Sequence, residues 1–294
     1  MKKLPLLLFG LLAQAASFQP LAAAPALQPR PRALPAAQQG DNGGGLSSSE
    51  VKESLQRAIE YLTGREGTGG PKFSDYVVIN GASIAALDPE HAQWFEKYKA
   101  WVSQQESSPE RPQEKLLHLI SLDIIGETGR AQQLFKEVVA LNQESELLNS
   151  HYAGWYLYGC VVSNDEALVE RVTTFLSGKP PGDLDYMIAY SFWKAFEKTG
   201  EEKYKEEFLT CVKKTQIYRA QYLKMKTVDG HAGLLLGVLC RAFQASGEES
   251  YRDLAGELAA KLLETQGADG SWNDTIVHTV TPAEGLALYL ATCY

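Results

Sequence analysis

Three stretches of this chain concentrate side chains that can move protons or hold cations. The first, Asn149-Ser-His151-Tyr152-Ala-Gly-Trp155-Tyr156, sets an amide, an imidazole and a phenol side by side. The second, Pro181-Gly-Asp183-Leu-Asp185-Tyr186, offers two carboxyls one residue apart. The third is split between Val228-Asp229-Gly230-His231 and Asp274-Thr-Ile-Val-His278-Thr279. Imidazole and carboxyl groups serve as acids, bases or metal ligands. A carboxyl works as a strong acid only when a neighbour keeps it protonated and oriented. Each stretch also has a plain structural reading. Asp183 or Asp185, and Asn149 or Ser150, suit helix N-caps. His151 and Trp155 suit an i, i+4 packing pair, and Asp-Gly is a common turn. Other chemistry has no foothold. The chain has no Gly-x-Ser-x-Gly elbow, phosphate-binding Walker loop, dinucleotide glycine pattern or His-Glu-x-x-His. His91 and His118 sit within helical patterns and read as surface or satisfied core residues.

The elements that must position these residues show a repeat. Ala195-Phe-Glu-Lys-Thr-Gly-Glu-Glu-Lys-Tyr204 returns as Ala242-Phe-Gln-Ala-Ser-Gly-Glu-Glu-Ser-Tyr251, roughly 47 residues on, a period that marks a stacked supersecondary unit. An apolar helix ends near Gly200 or Gly247, where glycine takes a left-handed cap. An acidic pair then opens the next helix, favourable at its positive end. Extended along the chain, this pattern predicts twelve helices in six pairs. The first helices, about 50–64, 90–105, 130–142, 165–177, 201–218 and 250–266, are amphipathic. The second, about 76–88, 113–126, 150–163, 185–199, 231–246 and 281–293, are more apolar and richer in small residues. Leu234-Leu-Leu-Gly-Val-Leu-Cys240 and Leu286-Ala-Leu-Tyr-Leu-Ala291 are apolar nearly all round, as helices buried on both sides are. Tyr76-Val-Val-Ile79 is the one good strand signal, or else a helix start. The fold class is therefore all-α. Six pairs with a polar outer and an apolar inner member suit an α/α toroid, an inner ring of helices inside an outer one. An open solenoid would look similar. Closure is favoured because Phe73-Ser-Asp75 resembles Trp272-Asn-Asp274, so the first and last units are alike. The apolar last helix would also be exposed in an open array.

The segment Leu262-Leu-Glu-Thr-Gln-Gly-Ala-Asp-Gly-Ser-Trp272, followed by Thr279-Val-Thr-Pro-Ala-Glu-Gly-Leu-Ala-Leu288, resembles the terpenoid cyclase and protein prenyltransferase superfamily. It is similar to that superfamily's Gln-Trp repeat. The resemblance implies that Gln266 caps an outer helix and stacks on Trp272, joining adjacent helix pairs. It also implies places for chemistry. Type II cyclases carry Asp-x-Asp-Asp at the start of an inner helix. Here Asp183 and Asp185 match, and Tyr186 stands where the last Asp would be. Protein prenyltransferases hold zinc with an Asp, a Cys and a later His. The matching set here is Asp229, His231 and His278, with His in place of Cys. Three such ligands and an open position would make a catalytic zinc site. The stretch from Asn149 is similar to the Asn-Asn-His-x-Tyr-Trp segment of alginate lyases, exported helical toroids in which Asn neutralises a uronate, His removes a proton and Tyr acts as acid. That resemblance implies Asn149, His151 and Tyr190 as a lyase set. No Arg lies between Arg171 and Arg219 to hold an acidic sugar.

The bulk composition narrows the classes. Lys2 and Lys3, an apolar run over 4–12 and small-residue sites at Ala13-Gln-Ala15 or Ala22-Ala-Ala24 read as a signal peptide over 1–24. The run is about half a membrane span, so no transmembrane anchor is expected after cleavage. Residues 25–49, rich in Pro, Ala and Gly, read as a linker, and 50–294 as the toroid domain. Export to the periplasm or medium makes disulfides possible, but Cys160, Cys211, Cys240 and Cys293 lie in apolar helical patterns that suit buried thiols equally well. A net charge of −8 with scattered Lys and Arg argues against nucleic acid. The expected protein is an exported toroid that kept the cyclase fold without an intact cyclase acid. It would bind a small molecule or glycan at a central cavity, or act as a scaffold. A uronate lyase or other glycan enzyme, and a metal-dependent transferase using zinc, are the alternatives.

Overall fold

Helix α1, Ser48–Gly64, opens on a capping box. The Ser47 hydroxyl accepts from the Glu50 amide, and the Ser47 amide donates to the Glu50 carboxylate at 2.9 Å. The two contacts satisfy amides that the first turn leaves orphaned. Similar caps open later helices: Asp165 accepts from Leu168, Asp229 from His231 and Thr275 from His278. The computed structural model describes residues 46–65, 71–87, 89, 92–105, 109–150, 152–179 and 185–294, apart from the side chains of 71, 72, 185 and 215–218. The expected signal peptide and nearly all of the expected linker lie outside them. The helical domain starts slightly before residue 50, because Ser47 already caps α1.

The described residues are all-helical. After α1 come α2 (Pro71–Leu87), α3 (Gln93–Gln104), α4 (Pro112–Ile124), α5 (Thr128–Leu141), α6 (Glu144–Asn149) and α7 (Ala153–Ser163). They are followed by α8 (Glu166–Ser177), α9 (Asp185–Thr199), α10 (Glu202–Lys224), α11 (Gly230–Ser246), α12 (Glu249–Thr265) and α13 (Ile276–Cys293). The twelve expected helices are all present, and Tyr76-Val-Val-Ile79 lies inside α2. The short α6 was not expected. Asn149 ends it, so neither Asn149 nor Ser150 is the N-cap of α7, where Tyr152 stands without a side-chain cap. Helix α13 starts a turn earlier than expected and runs through Pro282. None of these helices is long and apolar enough to cross a membrane.

The turns from a second helix into the next pair share one device. Gly200 and Gly247 take positive φ, 72° and 71°, as the echo required, and Gly126 and Asn164 do the same after α4 and α7. The amphipathic helices bury one stripe, such as Tyr251, Ala255, Leu258, Ala259 and Leu262 of α12. The apolar helices are covered all round, as in α7, where every residue from Ala153 to Val162 is buried. Helix α2 packs on α4 and α13, α4 on α7, α7 on α9, α9 on α11, and α11 on α13. Helix α1 packs on α12 and α13.

The loop after α12 makes a long-range junction with α1. Gln266 accepts from the Ser54 hydroxyl at 2.8 Å and Arg57 at 2.6 Å, and its amide donates to Ser54 O and Gly270 O, both at 2.9 Å. The Trp272 indole is buried and donates to Leu262 O at 3.0 Å. Gly270, at φ +86°, lies so close to α1 that a Cβ would fall 2.2 Å from Arg57 O. The motif is thus a structural joint, and the partner it grips is α1, the first helix among the described residues. Gln266→Ala removes four hydrogen bonds at once and is expected to lower stability by about 2–3 kcal/mol in urea unfolding.

Candidate functional site

The starts of α9, α11 and α13 bring together the side chains best placed for chemistry. Asp229 is the N-cap of α11, and its carboxylate accepts the His231 amide at 3.0 Å. The same helix start exposes the His231 ring. Its Nδ1 meets the Tyr186 hydroxyl of α9 at 2.6 Å, with the two rings edge to face at 5.9 Å. Tyr186 is buried and also bonds the Tyr222 hydroxyl of α10. Burial pushes the Tyr222 phenol up to about 12, and the Tyr186 hydrogen bond offsets this only in part. His231 is therefore held through one ring nitrogen by a tyrosine relay.

His278 lies in the first turn of α13, with its amide capped by Thr275 at 3.1 Å. Its ring rests against Gly230, where a Cβ would stand 3.4 Å from Cδ2. Asn273, at left-handed φ 56°, sits 3.5 Å from His278 Nδ1 and donates to Val228 O. Asp274, also left-handed, pairs with Arg65 at 2.7 Å and accepts from Tyr61 at 3.1 Å. Asn and Asp tolerate this region better than other residues with side chains. Burial and the Asp274 contact raise the Tyr61 phenol to about 12. His231 and His278 thus border one patch at adjoining helix starts. The zinc set is not assembled, however. Asp229 is turned to its own backbone, and among the described residues no three His, Cys, Asp or Glu side chains are grouped to hold a metal ion.

The other sequence candidates fall elsewhere. Asp183 and His151 lie outside the described residues, and Asp185 opens α9 with its side chain also outside them. Asn149 is exposed and its amide turns back to Ser145 O at 2.9 Å. Tyr190 is buried, and its hydroxyl donates to Asn80 of α2 at 3.3 Å. Burial and the nearby Glu284 charge hold that phenol well above its ordinary value. Asn149 and Tyr190 therefore face different partners, and the lyase pairing is not formed by them. The aromatic part of that stretch does cluster: Trp155 packs on Tyr152 at 4.9 Å and on Tyr76 at 6.1 Å.

Three buried polar groupings have partners that the sequence did not show, and one of them contains His118, a satisfied core residue. Arg241 of α11 pairs with Glu284 of α13 at 2.8 Å, each side chain 1% exposed. Its guanidinium also lies over the Tyr190 ring and 3.8 Å from Glu197. Burial alone would raise the Glu197 carboxyl, but the Lys194 and Arg241 charges outweigh it and hold the group below its ordinary value. Asp75 accepts from His118 Nδ1 at 3.0 Å, deep between α2 and α4. Burial raises that carboxyl despite the His118 contact. Asp123 accepts from Tyr158, Lys198 and Thr128. The available signal was a lone charge inside an apolar run, as in Leu239-Cys-Arg241-Ala and Pro282-Ala-Glu284-Gly. Charges in such places are paired. No protein-family model matches the chain, and no curated protein matches its sequence.

Proposed function

We propose that this chain is an exported α/α toroid, related to the terpenoid cyclase and protein prenyltransferase superfamily, that works as a binding module at one rim. The observation that carries the reading is the order of contacts among the second helices. Helices α2, α4, α7, α9, α11 and α13 each pack on the next, and α13 packs on α2. That order supports a closed inner ring with the amphipathic helices outside it. The polar pairs argue for binding at the rim over chemistry within. Tyr190 reaches Asn80, and Arg241 reaches Glu284, so side chains paired with one another occupy the space between these helices.

The rim at the starts of α9, α11 and α13 has exposed His231, half-buried His278 and the positive ends of helix dipoles. Such a patch favours a polar or anionic ligand, and an acidic glycan fits the exported setting. Tyr186, in place of an acid of the cyclase motif, supports a fold that kept its architecture without that reaction. The test is ligand-observed NMR with oligomers of glucuronate and galacturonate. Wild-type protein is expected to bind, and the His231→Ala/His278→Ala double variant to bind at least about tenfold more weakly with an unchanged melting temperature, a loss of about 1.4 kcal/mol. No binding by the wild type, or equal binding by the double variant, would overturn the reading.

A further inference from the structure

Helices α11 and α13 run in parallel and approach through glycine. A Cβ on Gly233 would stand 2.2 Å from Pro282 N, and one on Gly285 would stand 2.7 Å from Gly233 O. One turn on, Gly237 faces Leu288. The register carries forward to a pair of cysteines. Cys240 is two turns beyond Gly233 on the same face, and Thr292 is two turns beyond Gly285. There the Cys240 and Cys293 thiols contact each other directly. The Thr292 hydroxyl lies beside both, 3.4 Å from Cys293 Sγ. The two sulfurs therefore meet on helices whose backbones are held close two turns earlier, and thiol contact is the first thing a disulfide needs.

We propose that Cys240 and Cys293 form a reversible thiol–disulfide exchange site that locks α11 to the last turn of α13. The two thiols differ in a way that sets the order of events. Cys293 is half-buried and Cys240 fully buried, so an incoming disulfide reaches Cys293 first. The Cys240 hydrogen bond holds the Cys293 thiol below its ordinary range, and the Arg252 charge helps. In the first step the Cys293 thiolate attacks one sulfur of a small-molecule disulfide and releases one thiolate. In the second, the Cys240 sulfur attacks Cys293 Sγ and releases the other thiolate, which takes up the Cys240 proton as it leaves. One Sγ–Sγ bond forms in the protein, and the small disulfide is reduced to two thiols. Cys160 and Cys211 are buried and serve as internal controls.

The experiment is to incubate the full chain with oxidised glutathione, unfold it, alkylate free thiols and map the peptides by mass spectrometry. A Cys240–Cys293 cross-link is expected, with Cys160 and Cys211 alkylated, and reductant should reverse it. Cys240→Ala should instead accumulate a stable glutathione adduct on Cys293. The melting temperature of the wild type should rise on oxidation, and that of Cys293→Ser should not. The proposal is overturned if all four thiols of the wild type are alkylated, if wild-type Cys293 stops at the glutathione adduct, or if the cross-link joins other cysteines. The wild-type map decides the matter even if a variant fails to fold.

Discussion

Arg241→Leu is expected to lower stability by about 3–5 kcal/mol, the cost of leaving a buried charge without its partner. Glu284 is as buried as Arg241, and the guanidinium is its hydrogen-bonding partner across the α11–α13 contact. The pair is not ideally satisfied, because Arg241 Nε and Nη1 have no hydrogen bond. Such a half-satisfied pair is a poor source of net stability. The double variant Arg241→Leu/Glu284→Leu should therefore recover most of the loss. Urea unfolding of the two single variants and the double variant measures the coupling directly. A double variant as unstable as the single one would show that the pair contributes net stability.

Gly233→Ala is expected to cost about 3 kcal/mol, although alanine is the better helix former by about 1 kcal/mol. The added methyl would collide with the backbone of Thr281 and Pro282, which cannot rotate away. The helices would have to separate, and the loosening would reach Gly285 and the Cys240–Cys293 contact. Gly129→Ala in α5 is the matched control, since a Cβ there meets nothing within 4 Å. That change should be neutral or slightly stabilising. Thermal and urea unfolding of the two variants distinguish a packing effect from a propensity effect. Comparable stability in both would mean that the α11–α13 approach tolerates a methyl.

The helices were legible because two local signals agreed along most of the chain. The apolar stripe of Tyr251, Leu258 and Leu262 predicted a surface helix, and Gly200 and Gly247 marked the turns by a conformation that side chains resist. Asn164 performs the same turn without glycine and carries a weaker signal. The early start of α13 was hidden by Pro282. Proline lacks an amide and usually ends a helix, yet here Gly233 packs against it and the Thr275 cap lies a full turn before it. The candidate site was legible only in part. His231 and His278 do adjoin, because both follow capped helix starts. Tyr190 and Asn149 carry the right chemistry for a lyase, but hydrogen bonds to Asn80 and Ser145 claim them. The Asp75–His118 and Arg241–Glu284 partners are far apart in sequence, and no local pattern reports such a pairing.

The grip of Gln266 on Ser54 and Arg57 also bears on the order in which the molecule can be assembled. Nearly the whole domain lies between the two halves of that junction. A chain emerging from the ribosome can build each helix pair against the one before it, but α1 and α2 keep an uncovered flank until the residues around 266–293 have appeared. The closing contact has a very large sequence separation, so its loop-closure entropy is offset only at the end. Until then the nascent chain exposes apolar surface at both ends. Apolar surface left open in this way is what makes partly folded chains prone to association, so the docking of α13 on α1 and α2 is the contact that removes it.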